Sequence, residues 1–560
     1  MEGWRGVLHR HILPFLGYAT YPQVVLISPF CQHGNLSSFL EGHPAANRVK
    51  LLSEAASGLQ FLHQHNPPIV HSDIKPDNIL VNDALEAVLA DFGQSRFMHN
   101  IPSPYVTEDI LLGTPRYMAP ELLEDETAKH TLPSDIYAFS LVTLEVLSGR
   151  SAFYSIRMNI ILAVQRGLRP LPQDHPNQAC QQIWPLLAQG WDESPNQRPQ
   201  IGEFIQWLKH LPDTTGPSTP TSPTSTRSTT RIGHERTRSA VPISRSLPIH
   251  RTSTGVRTTR SVTPTGPADS PVSPVGPFPH LSRDRCVVHG KRYDIWQGTR
   301  NIGAVRMVAI KFLRSRSGQW AARDDNQRFD RQYRCWKDLN HPNVLPLIDY
   351  SVEDRFFVSP WCANGPVKVY IQRFPSADKL DLIIQVAQGL DYLHRGSYPM
   401  VHGHLIPNQI LVDSDGVVKI SGFGYSVFLQ DLDAGGVWSA PEDITSIRYT
   451  APEVLNGLDH STPSDIYSMA FIALEILSST VPYPFLNGGA LIRAIADGVR
   501  PAREQYIDAL GHCTALWALF DQCLALDPFT RPSARTVQNV IRNRATQLAA
   551  AAQIPSGYGV

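Results

Sequence analysis

The sequence predicts two α+β units of one kind, joined by a long polar linker. Three observations carry this. His71 and His402, like Asp91 and Gly422, stand 331 residues apart, and Glu121 and Glu453 stand 332 apart. Apolar helix phrases recur with them, residues 141–147 against 472–477, and Arg198-Pro199 returns as Arg531-Pro532. Between the copies, residues 213–282 are rich in Pro, Ser, Thr and Arg and poor in large apolar side chains. A repeat this long is a whole domain, whereas a solenoid needs many short copies. The 560 residues leave room for two such domains with a linker.

The totals exclude several classes. Formal net charge is zero, which argues against a whole-protein nucleic-acid or acidic-membrane role. The seven cysteines include no Cys-x-x-Cys pair, so neither a zinc cluster nor a disulfide framework is expected. No apolar run approaches the roughly 18 residues of a membrane span. The start, Met-Glu-Gly-Trp-Arg-Gly, lacks the basic-then-apolar shape of a signal peptide. An intracellular, soluble, cytoplasmic protein is the expectation.

In the first copy, residues 24–28 read as a strand and 49–63 as a long amphipathic helix. Residues 69–81, Ile-Val-His-Ser-Asp-Ile-Lys-Pro-Asp-Asn-Ile-Leu-Val, follow. An apolar pair enters, polar residues sit at fixed offsets and an apolar triple leaves. That is a strand, a tight loop and a strand, and the loop presents Asp73, Lys75 and Asn78. Asp91-Phe92-Gly93 comes next, after an alternating strand at 87–90. Then come Gly113-Thr114-Pro115-Arg116-Tyr117-Met118-Ala119-Pro120-Glu121, Asp135 opening an apolar helix through Leu147, and Arg198 in Asn-Gln-Arg-Pro. A polar hairpin alone would explain an Asp and a Lys, but not the later signals in this order.

This run resembles the protein kinases of the serine/threonine type. The resemblance implies that Asp73 orients and deprotonates the substrate hydroxyl, and that Lys75 balances charge on the transferred phosphate. It implies that Asn78 and Asp91 hold magnesium, whose preference is for hard oxygen ligands, and that ATP is the phosphate donor. Asp135 matches the buried Asp that braces the loop, and Arg198 the ion-pair partner of Glu121. Each copy would then be a bilobal domain. Residues 11–15 resemble the segment after the regulatory helix, so the first copy (1–212) lacks most of its small lobe. Alternatively, Met1 is an internal start and a full small lobe lies upstream.

Residues 213–282 are expected to be a disordered linker, because such a composition buries too little surface to offset ordering entropy. Its arginines outnumber its acids; simple solvation is the expectation, a nucleic-acid or phospholipid contact the alternative. Thr219, Ser222, Thr263, Ser270 and Ser273 precede prolines and are weak phosphorylation candidates.

The second copy (283–548, then a tail 549–560) is longer at its front. Residues 283–298, 308–311 and 330–340 supply a hairpin, a strand and a helix. Lys311 in Val-Ala-Ile-Lys resembles the lysine that pairs the nucleotide phosphates; a strand-end lysine reaching for solvent is the alternative. Otherwise this copy departs from the pattern. Residues 289–293 keep one glycine of the phosphate loop, out of register, and Gln332 stands where the lysine's Glu partner belongs. His404 replaces the catalytic Asp, Ile406 the Lys, Gln409 the metal-binding Asn, and Gly422 the metal Asp. Copy two therefore resembles a pseudokinase. Scaffold residues persist there: Ala451-Pro452-Glu453, Asp465 and Arg531. In both copies the Arg that usually precedes the catalytic Asp is absent, replaced by Ser72 and Gly403, which argues against activation by loop phosphorylation.

Two functions follow from the resemblance. One is phosphorylation of protein Ser/Thr by the first domain with ATP and magnesium, the second domain being regulatory or docking. The other is a catalytically inactive scaffold. Either way the expected partner is a protein, a substrate or a docking partner.

Overall fold

The computed structural model describes residues 6–19, 25–92, 96–97, 115–124, 128–212, 273–275, 278–289, 293–302, 304–314, 319–434, 444–508 and 511–552. Most of the stretch assigned to the linker lies outside these residues, together with the Ser-Pro and Thr-Pro pairs up to Ser270.

The first copy opens with a two-stranded antiparallel pair, Gly17–Ala19 with Val25–Ile27. Among the described residues, this pair is all the sheet that precedes its helices. Helix α1 (Leu36–Gly42) starts at Asn35, whose side chain accepts from the Ser38 amide at 2.9 Å. Helix α2 (Arg48–His63) starts at Asn47, which accepts from the Lys50 amide. Both caps satisfy amides that the first helical turn leaves without a partner. Leu52, Ala55, Ala56, Leu59 and Leu62 of α2 are fully buried. Gly58 is required on that helix, since a Cβ there would stand 2.4 Å from the His11 carbonyl oxygen. That carbonyl's own strand segment is held by Leu89, which donates to His11 and accepts from Leu13. Helices α3 (Pro120–Glu124), α4 (Leu132–Ser148), α5 (Ile160–Gln165), α6 (Gln178–Gly190) and α7 (Ile201–His210) complete the copy. Helix α4 begins in a reciprocal cap between Thr131 and Ser134 and stops at Gly149 in the left-handed conformation.

The second copy begins with a six-stranded sheet. Its order is Asp349–Ser351, Phe356–Pro360, Ala304–Leu313, Tyr293–Ile302, Phe278–His289, Ser273–Val275. The sheet thus starts ahead of residue 283, inside the stretch assigned to the linker. Phe278 and Leu281 explain this, because they pack with Phe356 and Val358 in a small apolar cluster beneath the sheet. Helix α8 (Gln319–Trp336) starts earlier and stops sooner than the helix expected at 330–340. Helices α9 (Val367–Arg373), α10 (Lys379–Arg395), α11 (Ile444–Ile447), α12 (Pro452–Leu455), α13 (Thr462–Ser478), α14 (Gly488–Ala496), α15 (His512–Cys523) and α16 (Ala534–Ala552) follow. Helix α16 passes Leu548 into the assigned tail because four alanines, strong helix formers, extend it.

The copies match in detail. Gly389 of α10 meets the Asn343 carbonyl as Gly58 meets that of His11, and Val344 bridges Ile420 as Ile12 bridges Leu89. Both copies fall in one compact unit. No helix among the described residues is long and apolar enough to cross a membrane.

Candidate active site

In the first copy the buried pair Ile69 and Val70 leads into the loop. A single 3-10 turn, Pro76–Asn78, closes it, and Ile79–Val81 leaves it paired antiparallel with Ala87–Leu89. The two polar segments are therefore fixed by one hairpin. The Ala90 amide donates to the Asn78 carbonyl at 2.8 Å and ties the Asp91 segment to the loop.

Asp135 holds the loop from below. Its carboxylate accepts from the His71 amide at 2.8 Å, the Ser72 amide at 2.9 Å and His63 Nε2 at 3.0 Å. Burial alone would raise this carboxyl; the hydrogen bond and charge of His63, with the His71 amide, outweigh it and hold it below the usual range. The expected bracing role of Asp135 matches this geometry. Ser72 sits at φ 72° to turn the chain, a conformation few non-glycine residues adopt, and Gly403 takes it in the second copy at φ 74°.

Asp73, 6% exposed, faces the other way. Its Oδ2 accepts from Lys75 Nζ at 2.5 Å and from Asn78 Nδ2 at 2.9 Å, and its carbonyl accepts from the same Asn78 amide group at 2.8 Å. Asn78 thus spends its donor on Asp73, which leaves the amide oxygen as its ligating atom. Asp91 is exposed, at φ 62°, one residue beyond the tie to Asn78. An amide oxygen and a carboxylate, on two segments tied by that backbone bond, are the kind of hard-oxygen donors that magnesium takes. Ser72, Tyr117, Met118 and His130 line a recess beside Asp73. Thr114 and Gly113 lie outside the described residues.

His71 is buried and makes both its bonds as a neutral ring: Nε2 faces the Ala90 carbonyl at 3.0 Å and Nδ1 accepts from the Asp73 amide at 3.4 Å. Burial lowers its pKa, although Asp135 and Asp73 pull the other way; His402 is lowered by burial in the same manner. The unfolded chain then binds more protons than the folded one. Stability is complete above the ordinary histidine value of about 6.5 and is lost as pH falls below it through the lowered values. The melting temperature is expected to drop between about pH 7.5 and 5.5, ahead of carboxylate titration. An unchanged melting temperature over that interval would contradict it.

The second copy repeats the frame with different side chains at the equivalent positions. Asp465 accepts from the His402 amide, the Gly403 amide and His394 at 2.7, 2.9 and 2.9 Å. His404, in the place of Asp73, lies with its ring 4.8 Å from that of Tyr425. Gly422, in the place of Asp91, has φ 91° and Gln409 packed against it: a Cβ there would stand 2.2 Å from Gln409 Oε1. The side chain one methylene longer than Asn78 fills the space where a carboxylate stem would begin. The donor set therefore does not fit a magnesium ion in this copy.

Lys311 pairs with Phe357 and Ile295 in the sheet, and its ammonium lies 4.3 Å over the Tyr293 ring. Burial pulls it down to about 8. Gln332 is 3% exposed, and its Nε2 has no hydrogen-bond partner. Among the described residues Lys311 has no acidic partner. Phosphate-loop residues 290–292 lie outside the described residues.

Two features escaped the sequence reading. Gln409 looked only like a lost ligand, because its reach across to Gly422 is a matter of space. Cys286, His289 and Asp294 gather their ligand atoms within 4.8 Å at the hairpin end, at a spacing no zinc pattern flags. Arg314 occupies that Asp294 carboxylate at 2.8 and 3.0 Å.

The architecture and the loop define a class, that of protein kinase domains. The protein tyrosine and serine/threonine kinase family matches this chain at residues 3–208 and again at 281–541. The chain belongs to that family and carries two of its domains in tandem. It is 31% identical over 227 residues to receptor-interacting serine/threonine-protein kinase 2 of Bos taurus, which covers 37% of this chain and 41% of the relative. It is 29% identical over 214 residues to the dual specificity protein kinase shkC of Dictyostelium discoideum, covering 37% and 41%. With an LRR receptor-like serine/threonine-protein kinase of Arabidopsis thaliana the identity is 38% over 151 residues, covering 26% and 14%. The chain spans less than half the length of these curated relatives. Family members use ATP, a divalent metal and protein substrates in general.

Proposed function

We propose that the first domain is the phosphoryl-transfer unit of a serine/threonine protein kinase-like protein, and that the second is a pseudokinase that regulates or docks. The observation that carries this is the contrast at two equivalent loops. In one, Asp73 is oriented by Lys75 and Asn78 beside Asp91; in the other, Gln409 fills the space beside Gly422.

In this reading the Asp73 carboxylate takes the proton of a substrate hydroxyl presented in the recess at Tyr117 and Met118. Lys75 then holds the charge of the transferred group in place. Asn78 and Asp91 are the residues that would hold magnesium, which neutralises phosphate charge. Burial and the Asp135 bonds keep the loop from rearranging as charge shifts. Lys311 would meet a nucleotide in the second domain, but with neither an acidic partner nor a metal-fitting donor set beside it. An inactive scaffold is the second reading, favoured by Gln409 filling the space beside Gly422 in the second domain.

The test separates them. Incorporation by this chain from magnesium-ATP is expected near background. Fusing a complete kinase small lobe ahead of His11 is expected to raise it, with phosphoserine and phosphothreonine as products. Asp73→Asn is expected to erase the gain, and Lys311→Ala to leave it. A gain that survives Asp73→Asn, or no gain at all, overturns the proposal in favour of the scaffold.

A further inference from the structure

The two domains meet through equivalent elements. The carbonyl of Leu455, at the end of α12, accepts from the Asn159 amide at the start of α5 at 3.0 Å. In the opposite sense, the carbonyl of Leu123, in α3, faces Gly489 in the first turn of α14, where a Cβ would stand 1.9 Å from that oxygen. Helix α5 corresponds to α14: each ends in a left-handed glycine, Gly167 or Gly498, followed two residues on by Arg-Pro. Helix α3 likewise corresponds to α12. Each domain therefore lays the start of one helix on the other domain's carbonyl, the relation of a two-fold axis.

Charges break that symmetry at its centre. Arg166 and Asp497 occupy equivalent positions, each just before its glycine, and pair at 3.2 Å. Arg166 also donates to Asn456 at 2.7 Å, and Arg493 of α14 approaches Glu124 of α3 at 3.8 Å. Were two first domains to pair this way, Arg166 would face Arg166; two second domains would bring Asp497 against Asp497. Like charges in one place reject those pairings, and opposite charges accept the mixed one. Gly489 adds a steric filter, because Met158 holds its place in the first domain.

We propose that α14 and the end of α12 form a docking surface whose partner is the first domain of the same chain, with Arg166, Asp497 and Gly489 selecting this mixed pair over self-pairing. The second domain thereby acts as a built-in dimer partner, covering α5 and the end of α3. This is independent of whether Asp73 transfers phosphate.

The full chain with a protease site inserted between residues 218 and 273 tests it. After folding and cutting, the two halves are expected to elute together, at the mass of one chain. Asp497→Arg, at a half-exposed position that leaves each fold intact, is expected to weaken their association at least tenfold. Adding Arg166→Asp is expected to restore it. Gly489→Met should separate the halves even with the charges in place. Halves that part without any substitution, an uncut chain that elutes as a dimer, indifference to Asp497→Arg, or a charge swap that fails to restore would each overturn the proposal.

Discussion

Glu453→Ala is expected to destabilise the second domain by about 3–5 kcal/mol, the cost of leaving one member of a buried ion pair alone. Glu453 Oε1 and Oε2 accept from both Arg531 nitrogens at 2.6 and 2.8 Å. The guanidinium is fully buried and the carboxylate is 8% exposed, so water cannot replace it. Arg531 keeps bonds to the Pro463 and Ala525 carbonyls, yet these are dipoles and not a countercharge. For a domain of this size each kcal/mol moves melting by about 2–4 °C, so a fall of roughly 10 °C is expected. Glu121→Ala in the first domain should cost less, because its carboxylate is 25% exposed although Arg198 is equally buried. Hydrogen exchange resolved by peptide assigns each loss to its domain. Equal losses in the two domains, or a loss below 1 kcal/mol for Glu453→Ala, would show that burial does not set the strength of this pair.

Gly422→Asp is expected to cost about 1–3 kcal/mol, the range for overfilling a packed site. Its Cβ would fall 2.2 Å from Gln409 Oε1 and 2.3 Å from Cδ, at φ 91°. Gln409→Asn removes the methylene that intrudes, so the double variant should recover much of the loss. A coupling of 0.5–3 kcal/mol in the double-mutant cycle is expected for residues in contact. Additive losses would mean the two positions do not share the space. Magnesium-ATP, in turn, is expected to leave the melting of the second domain of the native chain unmoved. Millimolar nucleotide at a micromolar Kd would stabilise it by about 4 kcal/mol. A large magnesium-dependent rise abolished by Lys311→Ala would refute the pseudokinase reading.

The catalytic loop was legible because its chemistry is local. Asp73, Lys75 and Asn78 lie within six residues, and a strand on each side fixes their direction. The duplicated frame was legible for the same reason, through Asp135 and Asp465 at the mouths of apolar helices. Elements defined by space were not. Ser273 and Phe278 sit among prolines, so their strands were hidden in a linker composition until Phe356 was seen against Phe278 at 5.0 Å. Arg166 and Asp497 are ordinary surface charges in sequence, and only their meeting gives them meaning. Gln409 was read as an absence, whereas it occupies volume.

That volume bears on how such a domain changes over generations. With Gln409 lodged against Gly422, regaining the carboxylate by one substitution lands the new Cβ on an existing side chain. Shortening Gln409 first leaves a hole that brings no activity while Gly422 remains. Both single steps back are uphill or idle, so the route is open forwards and barred in reverse. If the second domain is the pseudokinase proposed above, loss of chemistry at this loop is in that sense a ratchet, held by packing and not by the number of residues that would have to return.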